Sequence, residues 1–154
     1  MVRAAIVGLG RWGRSLVTAV QGKSGEISFA LGHTRTRATA EDFCREKSIQ
    51  LVDSYEAILK DRGIDAVVLA TPHSQHEAQV RQAAAAGKHV FVEKPITLDR
   101  RSADAAVAAV RKAGLVLAVG FTRRFHPAGN TRAPSPWLQP AKTLMDVHIK
   151  PTDH

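Results

Sequence analysis

The sequence predicts an α/β fold: a doubly wound parallel sheet of the dinucleotide-binding (Rossmann) kind, covered by helices on both faces. Three observations carry that expectation. Six short apolar runs alternate with longer amphipathic segments. The runs are apolar throughout rather than at every second residue, the mark of strands buried on both faces. A glycine-rich turn follows the first run directly and opens the first helical segment.

Taken in order, Val2–Val7 reads as a buried strand, followed by a helix over Arg11–Gln21. Ile27–Leu31 is the second strand, with a helix over Arg37–Lys47 behind it. Ile49–Val52 is a shorter third strand before the helix Tyr55–Lys60. Ala66–Ala70 is the fourth strand and Gln75–Ala86 its helix. Ser74-Gln75-His76-Glu77 fits a capping box at that helix's start, and Gly87 sits at its stop. His89–Val92 is the fifth strand; a helix over Arg100–Ala113 ends at Gly114, and Leu115–Val119 is the sixth strand. The character changes after about Pro127. Residues 129–154 hold Pro134, Pro136, Pro140 and Pro151, with Leu144–Ile149 as a single candidate strand. The expected organisation is a dinucleotide-binding domain over 1–128 and a proline-containing C-terminal arm over 129–154.

Composition narrows the function classes. The 154 residues are 44% apolar, too apolar for a disordered chain and enough to bury roughly two thirds of the unfolded surface. No stretch reaches the ~20 uninterrupted apolar residues of a membrane span. The opening Met1–Gly8 is too short, and too soon broken by glycine, for a signal peptide. One cysteine, Cys44, allows no internal disulfide, so a cytoplasmic location is expected. The net charge of +8 raises nucleic acid, a membrane surface or a polyanionic small ligand as partners. The basic residues are scattered in singles and pairs (Arg35/Arg37, Arg100/Arg101, Arg111/Lys112, Arg123/Arg124), without aromatic interleaving. Neither nucleic acid nor membrane is therefore an expected partner, and no metal site is expected.

Gly8-Leu9-Gly10-Arg11-Trp12-Gly13 is a G-x-G-x-x-G between a strand and a helix. Gly8 allows the tight turn, Gly10 lets the backbone approach a pyrophosphate, and Gly13 lets the helix pack on the strand. The helix N-terminus then offers N–H groups to the anion. NAD-binding versions place an acid near the end of the second strand to hold the ribose 2′-hydroxyl. Here that stretch reads Ala30 to Arg37 without an acid; the nearest, Glu41 and Asp42, fall in the following helix. Thr34 and Arg35 offer a hydroxyl and a planar cationic fork suited to a 2′-phosphate, so NADP(H) is favoured over NAD(H). The alternative is that Arg35 and Arg37 are solvated surface residues.

The fifth strand ends in Phe91-Val92-Glu93-Lys94-Pro95. A lysine just past the carboxyl end of a central parallel strand opens into the ligand crevice, where it can donate to a substrate oxygen or act as acid or base. On residue type alone a surface lysine is the commoner case.

Together, Gly8–Gly13, Ala70-Thr71-Pro72-His73-Ser74-Gln75-His76 and Ala86-Gly87-Lys88-His89-Val90-Phe91-Val92-Glu93-Lys94-Pro95 closely resemble the Gfo/Idh/MocA (glucose-fructose oxidoreductase / inositol dehydrogenase) family. Gly120–Ala128 is similar to that family's segment after the sixth strand, so the resemblance runs over 1–128. It implies that Gly8, Gly10 and Gly13 cradle the pyrophosphate, with Leu9, Arg11 and Trp12 lining the loop. It further implies that Thr71, Pro72 and His76 run along the cofactor, and that Glu93 and Lys94 stand beside nicotinamide and substrate. A cis bond before Pro95, frequent in the family, would aim Lys94 into the site, and Arg124 matches an arginine near the substrate side. His73 and His126 are expected to be structural or surface residues.

The resemblance implies a pyridine-nucleotide oxidoreductase acting on sugars, inositols and related polyols, or on biliverdin-like or dihydrodiol substrates, with Lys94 as the catalytic residue. The family's second domain, with its Asp…His pair, is expected to be missing from this chain. Leu144–Ile149 would be that domain's first strand, and Asp146 and His148 read as strand residues. Two other expectations follow: a non-enzymatic module that senses or sequesters dinucleotide, or a truncated gene product. The strand in the arm would also allow pairing into a homo-oligomer.

Overall fold

In the computed structural model, which describes residues 1–121, the first apolar run forms β1 (Val2–Val7). There follow α1 (Arg11–Val20), β2 (Ile27–His33), a 3-10 turn (Arg37–Thr39), α2 (Glu41–Glu46), β3 (Gln50–Leu51) and α3 (Tyr55–Lys60). The second half runs through β4 (Ala66–Leu69), α4 (His73–Ala85), β5 (His89–Val92), α5 (Arg100–Lys112) and β6 (Leu117–Val119). Every strand pairing is parallel, in the order β3-β2-β1-β4-β5-β6. The chain starts in the middle, winds outward to β3, then returns beside β1 and winds the other way. That reversal opens a crevice above the carboxyl ends of β1 and β4.

The continuous apolar runs are explained by two cores. Ala4, Ile6 and Phe29 face Val17 of α1 with Ala40 and Cys44 around α2. Ala5, Val7, Val67, Leu69, Val90 and Val92 face Tyr55 and Ile58 of α3, Val80 and Ala83 of α4, and Ala106 and Val110 of α5. Successive strand residues point to opposite layers, so both must be apolar. Each fully buried aliphatic side chain contributes roughly 1.5–3 kcal/mol. Cys44 lies within the first layer, where burial pushes its thiol above the ordinary value and the Arg14 charge opposes the shift.

Several expectations give way to tertiary contacts. The helix expected over Arg37–Lys47 is divided into the 3-10 turn and α2. The Thr39 carbonyl that would extend the helix instead accepts from the Arg14 guanidinium. The third strand shrinks from Ile49–Val52 to two residues, because it pairs only through Leu31 and Gly32 of β2. The second strand runs on to His33, two residues beyond expectation, and the sixth begins at Leu117 rather than Leu115. The capping box at Ser74 does not form. Pro72 is the N-cap, without a side-chain bond, and α4 begins at His73, so Ser74 lies inside the first turn. Gly87 and Gly114 do end their helices, at φ of 72° and 68°. Among the described residues no helix is long and apolar enough to cross a membrane. The expected boundary at 128 and the strand Leu144–Ile149 lie outside the described residues.

Candidate functional site

Each glycine of the turn sits under a different constraint. Gly8 has φ +94°, and a Cβ there would lie 2.5 Å from the Ala70 carbonyl oxygen. Its N–H donates to the His33 carbonyl at 2.8 Å, so the exit of β1 is pinched between the ends of β2 and β4. At Gly13 a Cβ would fall 1.9 Å from the Gly8 carbonyl oxygen, because α1 rests directly on the turn. Gly10 differs from both. Its φ is −70°, and among the described residues no atom beyond its own chain neighbours lies within 4 Å of where its Cβ would be. Nothing within the described residues requires glycine there, and the space over its Cα is open to a group approaching from outside.

That open space belongs to a cleft of about 460 Å³ lined by Leu9, Gly10, Arg11, Arg14 and Thr39. The helix opening onto it, α1, has neither a side-chain cap nor an acid in its first turn. Its first N–H groups and the positive end of its dipole therefore face the cleft. Arg11, which lines it, and Trp12 are exposed, whereas the Leu9 side chain is buried, leaving the Leu9 backbone to shape the turn. Arg14 was absent from the sequence-based set. Its Nε donates to the Leu9 carbonyl at 3.1 Å, Nη2 donates to the Thr39 carbonyl, and the guanidinium lies 5.4 Å from the Phe43 ring centroid. The result is a fixed cation on the cleft wall. Its only sequence signal was its position one helical turn beyond Gly10.

The last residue of β2 is His33, with Nδ1 3.2 Å from the Val52 carbonyl oxygen, so no acid stands there. Thr34 is half-buried and Arg35 exposed. The two candidate arginines now separate. Arg37 pairs with Glu41 at 3.3 Å and Asp53 at 2.6 Å, while Arg35 forms no ion pair among the described residues. Asp42 is engaged by Arg45.

At the end of β4, Thr71 Oγ1 donates to Gln79 Oε1 at 2.5 Å, and Pro72 is exposed. The His76 ring is wholly buried, with Nδ1 2.8 Å from the Pro95 carbonyl oxygen and Nε2 2.9 Å from that of Thr71. The expected contact between this ring and a cofactor is thereby corrected: both nitrogens are turned to backbone within the protein. His73, as expected, is on the surface.

At the end of β5, the Glu93 N–H donates to the Leu69 carbonyl at 3.0 Å. Its carboxylate is buried, and Oε1 has no hydrogen-bond partner among the described residues. Gly120 makes room for it, since a Cβ there would meet Oε1 at 2.7 Å. Lys94 is exposed, and the Lys94–Pro95 peptide is cis. The sheet thus carries the glycine turn, Thr71 and Lys94 on one edge, with β5 two strands from β1 and its end roughly 10 Å away. Arg124, like Arg123, His126, Asp146 and His148, lies outside the described residues.

A parallel sheet in this order, with a glycine turn feeding an uncapped helix at its switch point, defines a Rossmann dinucleotide-binding domain. Residues 2–121 match the family model for Gfo/Idh/MocA, described as an oxidoreductase family with an NAD-binding Rossmann fold, and the chain belongs to that family. It is 42% identical over 133 residues to scyllo-inositol 2-dehydrogenase (NAD(+)) of Bacillus subtilis, a match covering 82% of this chain and 37% of the relative. Among solved structures it resembles scyllo-inositol dehydrogenase from Lactobacillus casei with bound NAD(H) and scyllo-inositol. That match has a TM-score of 0.77 and 29% identity, over 83% of this chain and 38% of that one. A 3-ketoreductase from Actinomadura kijaniata, in complex with TDP-benzene and NADP, also matches with a TM-score of 0.77. Identity there is 28%, over 82% of this chain and 40% of that one. The chain thus spans less than half the length of these relatives.

Proposed function

We propose that this chain binds a nicotinamide dinucleotide along the carboxyl edge of its sheet and forms the cofactor half of an oxidoreductase acting on a sugar, inositol or related polyol or ketone. The observation that carries the reading is Gly10: a glycine that the protein's own packing does not require, at the mouth of an uncapped helix and an open cleft. The N–H groups of the first turn of α1 hold the pyrophosphate, with Arg14 as a fixed cation beside it. When bound, the nicotinamide supplies the hydride chemistry. Lys94 holds a proton toward the substrate oxygen, and Thr71 and Pro72 shape the floor between turn and lysine. The absence of a membrane-crossing helix among the described residues fits a cytoplasmic enzyme.

The preferred cofactor in this reading is NADP(H). It is supported by the missing acid at the end of β2 and by Arg35, which is exposed and uncommitted while Arg37 is paired. A calorimetric titration with NADPH and NADH at matched salt tests it. NADPH is expected to bind more tightly and to lose tenfold or more in Arg35→Asp, about 1.4 kcal/mol, with NADH nearly unaffected. NADH binding as tightly as NADPH to the unaltered chain overturns the preference; binding of neither overturns the site.

A further inference from the structure

His76 is the most deeply buried polar side chain among the described residues. Its burial follows from α4 itself, because His76, Val80, Ala83 and Ala84 share the face turned to the sheet. The two ring nitrogens reach in different directions, to the Pro95 carbonyl at 2.8 Å and the Thr71 carbonyl at 2.9 Å. Both acceptors offer lone pairs only. A neutral ring donates to one of them at a time, and a doubly protonated ring donates to both. No other side-chain hydrogen bond among the described residues joins the turn after β4 to the segment after β5.

Lys94 is held between two fixed points. On one side the Glu93 N–H is bonded to Leu69 in the sheet; on the other the Pro95 carbonyl oxygen lies 2.8 Å from the imidazole Nδ1. Lys94 itself is exposed at the carboxyl edge. The backbone on either side of Lys94 is thereby anchored, and one of those anchors is His76.

We propose that His76 is a positioning residue that ties the Lys94–Pro95 segment to the Thr71 turn and so sets Lys94 opposite the nicotinamide end of the dinucleotide. This rests on the reading above, that the dinucleotide lies along this edge with its nicotinamide toward Lys94. The role is separate from holding the adenosine and pyrophosphate, which fall to the turn between β1 and α1.

The test uses the full chain and two probes, NADH and ADP-ribose, the second lacking the nicotinamide. Affinity is measured for each, together with the rate at which acetic anhydride modifies Lys94, read by peptide mass spectrometry. In the unaltered chain NADH is expected to slow Lys94 acetylation and ADP-ribose to leave it unchanged. In His76→Phe, which keeps a planar ring but has no donor, protection by NADH is expected to disappear. ADP-ribose affinity should stay within about twofold. His76→Gln, which restores an N–H donor, is expected to recover part of the protection, and circular dichroism checks the fold of both. If the Phe variant fails to fold, intermediate protection in the Gln variant supports the proposal and undiminished protection overturns it. Full protection in folded His76→Phe overturns it. So does an equal fall in both affinities, the signature of a merely structural role. An unaltered chain that binds both probes without protecting Lys94 refutes the placement of the lysine and the proposal with it. Failure to bind NADH, ADP-ribose and NADPH alike refutes the cofactor site itself.

Discussion

Replacing Gly10 by alanine adds one methyl group at the N-cap of α1, where φ is −70° and ψ is −173°, a conformation open to any residue. Among the described residues no atom beyond the chain neighbours stands within 4 Å of the new carbon. Two small effects on stability oppose each other. Alanine is a poorer N-cap than glycine by up to ~1 kcal/mol. A stiffer unfolded chain favours the variant by ~0.4–1 kcal/mol. The net change should stay within about 0.5 kcal/mol, a shift in Tm of roughly 2–3 °C for a domain of this size. Binding changes in one direction only. A pyrophosphate that approaches the bare Cα must withdraw from the methyl, stretching its bonds to the first N–H groups of α1. Losing one charge-assisted hydrogen bond costs about 1.5–3 kcal/mol, tenfold or more in Kd. Titration calorimetry with NADPH, NADH and ADP-ribose, alongside scanning calorimetry, reads both quantities. Gly13→Ala is the contrasting control: its Cβ would sit 1.9 Å from the Gly8 carbonyl oxygen, against the 3.0 Å below which real Cβ contacts are essentially never found. Such overpacking against backbone costs ~1–3 kcal/mol of stability. Gly10→Ala should therefore lose affinity at nearly unchanged stability, and Gly13→Ala should lose stability. Undiminished affinity in a folded Gly10→Ala protein would refute the reasoning, because no ligand would then approach the turn at that glycine.

Two further outcomes concern the fold that carries the site. The buried Lys88 ammonium donates to the Asp61 and Ile64 carbonyls at 2.7 Å each; burial lowers its pKa, with Asp61 and Asp65 opposing the shift. Lys88→Met should cost about 2 kcal/mol in urea denaturation by leaving both carbonyls unsatisfied, and an unchanged midpoint would show that they find other partners. Dinucleotide affinity should not change, because Lys88 precedes β5 at the edge opposite the cleft. Asp99 caps α5, accepting from the Ser102 N–H at 2.9 Å and hydroxyl at 2.7 Å, and these bonds hold its carboxyl below the ordinary 3.8. Its contribution is full above that ordinary value and is lost as pH falls through the lowered one. Asp99→Asn keeps an acceptor without the titration, so it should lose less stability than the unaltered chain as the pH falls below the ordinary 3.8. Coincident acid profiles would refute that account.

The parts of the site legible in the sequence are those fixed by spacing along the chain. The G-x-G-x-x-G falls between an apolar run and a helical one, and its three glycines keep their places in the structure. The runs Val2–Val7, Tyr55–Lys60 and His89–Val92 form the elements expected of them at the same bounds. One boundary was moved by a distant partner: Arg14 takes the Thr39 carbonyl across 25 positions, and the helix expected after Arg37 is divided there. The capping box at Ser74 fits the local pattern, but Pro72 begins the helix earlier.

By itself the sequence determined the strand–helix alternation, the parallel sheet and the glycine turn that opens α1. These depend on apolar periodicity and on glycine's freedom at positions a few residues apart. Only the tertiary structure decided which of the candidate cations and rings are engaged by other parts of the protein. Arg35 and Arg37 look alike in sequence, and the approach of Asp53 after β3 engages one and leaves the other. His76 resembles a ligand-facing histidine until Pro95, 19 residues on, is folded against it. A buried polar side chain must find its hydrogen-bond partners wherever the packed chain supplies them, and those partners lie on other strands and loops, beyond the reach of local spacing.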